Sequence, residues 1–155
     1  MQIEESIKVV EVMALEMGPP VVLDEGCPLR EVIRRLRDAN SGCALVTRDG
    51  RLAGIFTERD LVVRVLGAAY DLDQPIAEWM TPNPDWVSPT DPIRKAVRLM
   101  RRGGFRSVPV VDKEDRVVGC VRHKDIVKYL AEHFPAQVLN LPPNPERIAL
   151  EREGG

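Results

Sequence analysis

The stretches "GIFTERDL" (54–61) and "GCVRHKDI" (119–126) decide the reading of this chain. Each opens with a glycine, continues through mostly apolar residues, and reaches an aspartate six places on, Asp60 or Asp125. Each reads as a strand running into the first turn of a helix. The residue three places after the glycine differs. It is Thr57 in the first stretch and Arg122 in the second.

Working outward, the stretches 28–66 and 92–130 align from their first residues, with a single extra residue at 113–114 in the second. Pro28 then meets Pro92, Gly54 meets Gly119, and Asp60 meets Asp125. Upstream, "PPVVL" (19–23) falls opposite "NPDWV" (83–87). The chain is an internal duplication. Each half starts with a short β-like piece (21–23 and 86–88). A helix opened by proline follows (28–39 and 92–102), since proline suits a first helical turn. Leu29, Val32, Ile33 and Leu36 recur at helical spacing, as do Ile93, Ala96, Val97 and Met100. "CALV" and "VPVV" read as strands, "RDG" and "DKED" as turns, and "RLAGIF" and "RVVGCV" as second strands. Helices are predicted at 57–68 and 122–133.

The fold class is therefore α/β, or α+β in some schemes: two β-α-β-β-α repeats packed about a pseudo-twofold axis. Neither half is large enough to be comfortable alone. The boundaries predicted are 1–72 for a leading helix and the first repeat, 73–133 for the second, and 134–155 for a proline-rich tail. Ile3, Ile7, Val10 and Ala14 place a helix over 3–17 that lies across the other half, and "PIAEWM" (75–80) reads as the matching lead into the second unit. The tail reads as an extended arm or a disordered segment, with a helix no earlier than 146–152.

Composition narrows the function. Of 155 residues, 44% are hydrophobic and 30% charged, enough for a core under a soluble surface. The formal net charge of -2 argues against a nucleic-acid role. The apolar runs are too short to span a membrane. The acidic start "MQIEESIKVVEVM" lacks the basic region of a secretory signal, so a cytoplasmic location is expected. Cys27, Cys43 and Cys120 are odd in number and form no CxxC, which points to a reducing compartment and to core packing. With His123 and His133 far from any cysteine pair, no metal site is read. No catalytic constellation appears, so an enzyme is not expected.

The duplicated order, the "G-x-x-T-x-x-D" at 54–60, "FRSVPVVD" at 105–112 followed by a turn and "VVG", and "MTPNPDWVSPTDPIRKA" at 80–96 together resemble a tandem pair of CBS domains, the cystathionine-β-synthase type repeat. The resemblance covers roughly residues 8–133. It implies a module whose clefts between repeats bind adenosine compounds and which pairs with a second copy. By that resemblance Asp60 and Asp125 hold ribose hydroxyls and Thr57 holds phosphate, while Arg122 stands where the second hydroxyl belongs. Val22, Val87 and Ser88 line the base, largely through backbone. Pro109 matches the proline of the family's second strand, but Leu45 does not, which makes unequal occupancy of the clefts the expectation.

The residues support this chemistry without the family. A helix N-terminus offers unpaired N–H groups and partial positive charge to a phosphate. Thr57 adds a donor, and Asp60 offers acceptors to vicinal hydroxyls. "T-E-R-D" is equally close to a capping box, and on local pattern both readings stand. In the second copy Arg122 removes the usual cap yet the aspartate stays. Arg106, just before the strand "SVPVV", reaches the cleft mouth to pair with phosphate or with an acidic neighbour, while His123 and Lys124 either join Arg122 around a phosphate or form a solvated helix start. Trp79 and Trp86 read as core or interface anchors. The function expected is a non-catalytic sensor module for AMP, ADP or ATP that needs no other cofactor. It would act as a homodimer on a regulated protein yet to be identified, with no membrane and no nucleic acid. The alternative is a structural or interaction module with empty clefts.

Overall fold

Asp49 and Gly50 both hold positive φ, at 53° and 79°, the backbone that a two-residue type I′ hairpin requires. They join β2 (Cys43–Arg48) to β3 (Arg51–Thr57), and the hairpin carries the first repeat. The computed structural model describes residues 2–138. Of the tail predicted over 134–155, the residues beyond Val138 lie outside the described residues, and those before it already form a helical turn at Pro135–Val138, earlier than the helix expected no sooner than 146. β1 (Val21–Asp24) runs parallel to β2, and α2 (Leu29–Asp38) connects them. β4 (Thr81–Pro82) closes the far side of β3, giving the order β1-β2-β3-β4.

The second repeat has the same plan. Val87 makes a parallel bridge to Val110, α4 (Ile93–Gly103) follows, and β5 (Ser107–Val111) pairs antiparallel with β6 (Val117–Arg122). The registers agree in detail. Val46 pairs with Gly54 and Val110 with Gly119, each next to a bulge. The extra residue falls in the turn after β5, as the alignment required. Arg51 and Arg116, equivalent positions in the two repeats, bridge each other antiparallel. A residue paired with its own counterpart marks the pseudo-twofold axis. Cys43 and Leu45 of β2 meet Cys120 of β6 in a small apolar cluster between the repeats, and all three cysteines are free thiols.

Each repeat lends its lead-in segment to the other. α1 (Ile3–Val9) ends well before residue 17 and is followed by a 3-10 turn at Val12–Ala14. Val12 and Leu15 are buried in the second repeat's core with Val87, Ile93, Ala96, Leu99, Val108 and Ile126. In exchange, Ile76 of the 3-10 turn Ile76–Glu78, and Met80, are buried in the first repeat's core with Phe56, Leu29 and Val32. The bridges Glu11–Pro92 and Pro28–Pro75 are the symmetric stitches of this exchange. The predicted helix over 3–17 is shortened because the chain turns extended at Val10 and Glu11 to make its bridge.

Two further local expectations change. Pro28 and Pro92 are not first-turn residues. Both are extended, with ψ of 148° and 150°, and serve as N-caps. The helix predicted over 57–68 is one α-turn, α3 (Glu58–Asp60), continued by a π-helical stretch at Leu61–Val65. There the Leu66 N–H reaches the Leu61 carbonyl at 2.9 Å. Val62, Val63 and Val65 crowd a tight helix through their branched side chains, which disfavours the closer ladder. α5 (His123–His133) is regular and leads to a short turn of helix, α6 (Pro135–Val138). Trp86 is exposed, with Lys95 over its ring at 6.0 Å, while Trp79 packs on the first core. Among the described residues no helix is long and apolar enough to cross a membrane.

Two predictions test the exchange. Ile76→Ala should cost about 2–5 kcal/mol in urea unfolding, although Ile76 lies outside the repeat whose core it fills. A Cβ on Gly54 would collide with the Met80 side chain and lie 3.0 Å from the Thr81 carbonyl oxygen, whereas on Gly119 it would meet Met17 at an ordinary 3.5 Å. Gly54→Ala should therefore lower stability by about 1–3 kcal/mol and Gly119→Ala by clearly less, measured in the same way.

Candidate functional site

The strand-to-helix junctions are built alike. The Gly42 carbonyl accepts the Glu58 N–H at 3.0 Å, and the Arg106 carbonyl accepts the His123 N–H at 2.9 Å. Arg106 therefore contributes its backbone, and its side chain is exposed. In the first repeat the Thr57 N–H and hydroxyl donate to Asp60 Oδ2 at 2.9 and 3.0 Å, and the Asp60 N–H donates back to Thr57 Oγ1 at 3.3 Å. This is a full capping box. Both side chains already have partners within the junction.

In the second repeat half of that box survives. The Arg122 N–H donates to Asp125 Oδ2 at 2.8 Å, as Thr57 does to Asp60. The reciprocal half is gone, because a guanidinium has no acceptor to offer the Asp125 N–H. It turns back instead, with Nε 3.3 Å from Asp125 Oδ2 and Nη2 3.5 Å from Oδ1. Asp125 is buried, with 7% of its side chain exposed, and Arg122 keeps 26%. A fixed cation is thus held at the mouth of the junction by a buried carboxylate.

Beside it opens a cavity of about 570 Å³, lined by Arg122, Lys124, Asp125 and Lys128 on one wall and by Glu16, Met17 and Gly18 on the other. Thr57 and Asp60 are not among its lining residues. The difference between the repeats has a local cause. In the first, the Asn83 N–H donates to the Ala53 carbonyl at 3.0 Å and fastens β4 to β3. Met17 and Met80 occupy corresponding places against Gly119 and Gly54, and the stretch after Met17 that falls opposite Asn83 holds two prolines, Pro19 and Pro20. Proline has no N–H to donate. Segment 16–18 accordingly forms no strand beside β6, and the sheet there has two strands, β5 and β6.

The cavity's charges are arranged in pairs. Lys128 Nζ lies 2.7 Å from Glu16 Oε2 and 3.9 Å from Glu132 Oε1. The hydrogen bond from Lys128 holds the Glu16 carboxyl below its usual range, and Glu16 in turn raises Lys128. Lys124 is exposed at the rim. Next to the junctions, across the seam, the Cys43 thiol is pushed well up by its hydrogen bond to Cys120 and by burial, so it stays protonated and packs as an apolar group.

The remaining sequence candidates fall elsewhere. Val87 has no backbone group free for a base. Its N–H donates to the Pro109 carbonyl at 2.9 Å, its carbonyl accepts the Val111 N–H at 2.9 Å, and its side chain is buried in the core. The Ser88 N–H is taken by Asp91 Oδ2 at 2.7 Å, and its hydroxyl lies 3.2 Å from that of Thr90. Pro109 is buried within β5. Val22 is half-buried in β1, opposite Leu45. None of these four, nor Arg106 or His123, lines the cavity beside Arg122. The sequence reading missed Glu16, Met17, Gly18 and Lys128. "EMGPP" set against "WMTPNP" held the signal for the first three.

Comparison with known proteins decides the family. The CBS domain model matches residues 9–67 and again 76–132. The chain belongs to the CBS domain family. A CBS domain-containing protein of Arabidopsis thaliana is 35% identical over 91 residues, covering 58% of this chain and 17% of its own length. The chain thus spans a small part of that longer relative. Among solved structures, a CBS domain protein from Pyrobaculum aerophilum complexed with AMP has a TM-score of 0.70 at 32% identity, covering 79% of this chain and 99% of that one. The cytosolic domain of the Mg2+ channel MgtE in complex with ATP has a TM-score of 0.66 at 32% identity, covering 81% and 52%.

The capping geometry carries its own prediction. Thr57→Ala should lower stability by about 1 kcal/mol in thermal unfolding, because it removes the side-chain half of the only reciprocal box at the two junctions.

Proposed function

We propose that the chain is a non-catalytic regulatory module that binds an adenosine nucleotide in the cleft between segment 16–18 and α5. The observation that carries this reading is the cavity beside Arg122, with a buried carboxylate, Asp125, at its inner wall and Arg122, Lys124 and Lys128 around it. Asp125 accepts the ribose hydroxyls. Arg122 swings its fork from Asp125 to the phosphates, a better match to phosphate oxygens than a hydroxyl. Lys124 and Lys128 take the outer phosphates, the latter leaving Glu16. Three cations suit ADP or ATP over AMP. The relatives complexed with AMP and with ATP support the ligand class. The first junction, whose Thr57 and Asp60 satisfy each other, is the weaker site.

The reading includes a homodimer. Val62, Val63 and Leu66 in the first repeat and Val127 in the second leave apolar surface in solvent at equivalent helices. A second copy covers it. Sedimentation at high concentration should give twice the 17.4 kDa chain mass.

Titration calorimetry tests the cleft. Asp125→Ala should weaken ATP about ten- to hundredfold, the worth of hydrogen bonds to a charged group of roughly 1.5–3 kcal/mol. Arg122→Thr should weaken ATP more than AMP, with the difference shrinking at high salt because the lost attraction is electrostatic. Unchanged ATP affinity in both variants would remove the cleft from nucleotide binding.

A further inference from the structure

Equivalent helices of the two repeats carry different charge. On α2, three of the four arginines, Arg30, Arg34 and Arg37, are answered by Asp73, by Glu31 and Asp38, and by Asp38, and Arg35 alone joins no ion pair among the described residues. α4 holds Arg94, Lys95, Arg98, Arg101 and Arg102 and no acidic residue. Lys95 pairs with Asp91 at 2.9 Å and Arg102 with Asp85 at 3.7 Å. Arg94, Arg98 and Arg101 join no ion pair among the described residues. With Lys8 of α1 and Arg102 they surround a groove of about 590 Å³ between α1 and α4. Ile7 and Val97, both half-buried, form its floor, and Glu4 is its one acidic lining residue.

We infer that this groove docks an acidic, amphipathic segment of a partner protein. The apolar floor between cationic rims takes apolar side chains, while the arginine forks pair with carboxylates. Arg94, Arg98 and Arg101 share one helix face and span about 10 Å along it, at 1.5 Å per residue. A partner helix with carboxylates at the same spacing matches them. The lining holds no aromatic ring on which a nucleic-acid base would stack. The chain's net charge of -2 conceals this face, because the compensating carboxylates lie elsewhere. The inference is independent of what occupies the cleft beside Arg122.

The test uses the full chain and three probes in fluorescence anisotropy or co-sedimentation: a labelled helical peptide of glutamate and leucine, a labelled single-stranded oligothymidylate, and phosphatidylserine vesicles. Peptide binding should fall at least tenfold in the Arg98→Glu/Arg101→Glu chain, fall with rising salt, and survive in Arg35→Glu, which alters charge on α2 instead. Arg98→Gln/Arg101→Gln, with thermal unfolding as in the parent, should show a smaller loss in the same direction. Equal peptide binding to parent and doubly substituted chains, or an equal loss in Arg35→Glu, overturns the inference. So does tighter binding of the oligonucleotide or the vesicles than of the peptide.

Discussion

Burial of two small sheets is the constraint on which everything else depends. A unit of this size cannot cover both faces of its own sheet and also bury the apolar stripes of its helices. The chain meets the shortage by exchange. Val12 and Leu15 fill the second core, and Ile76 and Met80 fill the first. The exchanged segments also build the candidate sites. The chain that buries Val12 and Leu15 continues into Glu16, Met17 and Gly18, the outer wall of the cavity beside Arg122. Its beginning, with Ile7 and Lys8, walls the basic groove against α4. Core packing and site formation are therefore one event in this fold.

The two junctions show how a single substitution redistributes roles. Thr57 and Asp60 satisfy each other through a reciprocal box, so the first helix start is well capped and its polar atoms are committed. Arg122 leaves the Asp125 N–H without that side-chain acceptor but brings a guanidinium to the same place. The second junction gives up local capping and gains charge at a cavity. Asp91, Pro92 and the turn around Ser88 anchor the start of α4.

Most of the fold was legible because repetition doubles each signal. Gly54 and Gly119, Pro28 and Pro92, and the alternating strands fixed the order of elements and the register, including the extra residue after β5. Half of the exchange was legible, from the apolar spacing in 3–14, whereas 75–80 read as the lead into the second unit and instead sends Ile76 and Met80 into the first core. What escaped was set by tertiary contacts. The helix over 3–17 stopped at Val9 because a bridge to Pro92 claims Glu11. The backbone of Val87, expected to face a base, is also engaged in strand pairing with β5. The cavity's outer wall went unread because its signal is an absence, the N–H that Pro19 and Pro20 lack and Asn83 has.

The exchange also fixes the order in which the molecule can mature. As the chain emerges, β1, α2, β2 and β3 can meet early, but their core stays open until Ile76 and Met80 follow. Val12 and Leu15 have no core to enter until Ile126 of α5 has arrived, more than a hundred residues later. Such distant pairings are slow because loop closure precedes any return from contact. The cleft beside Arg122 thus forms only once the segment that buries Val12 and Leu15 has found α5.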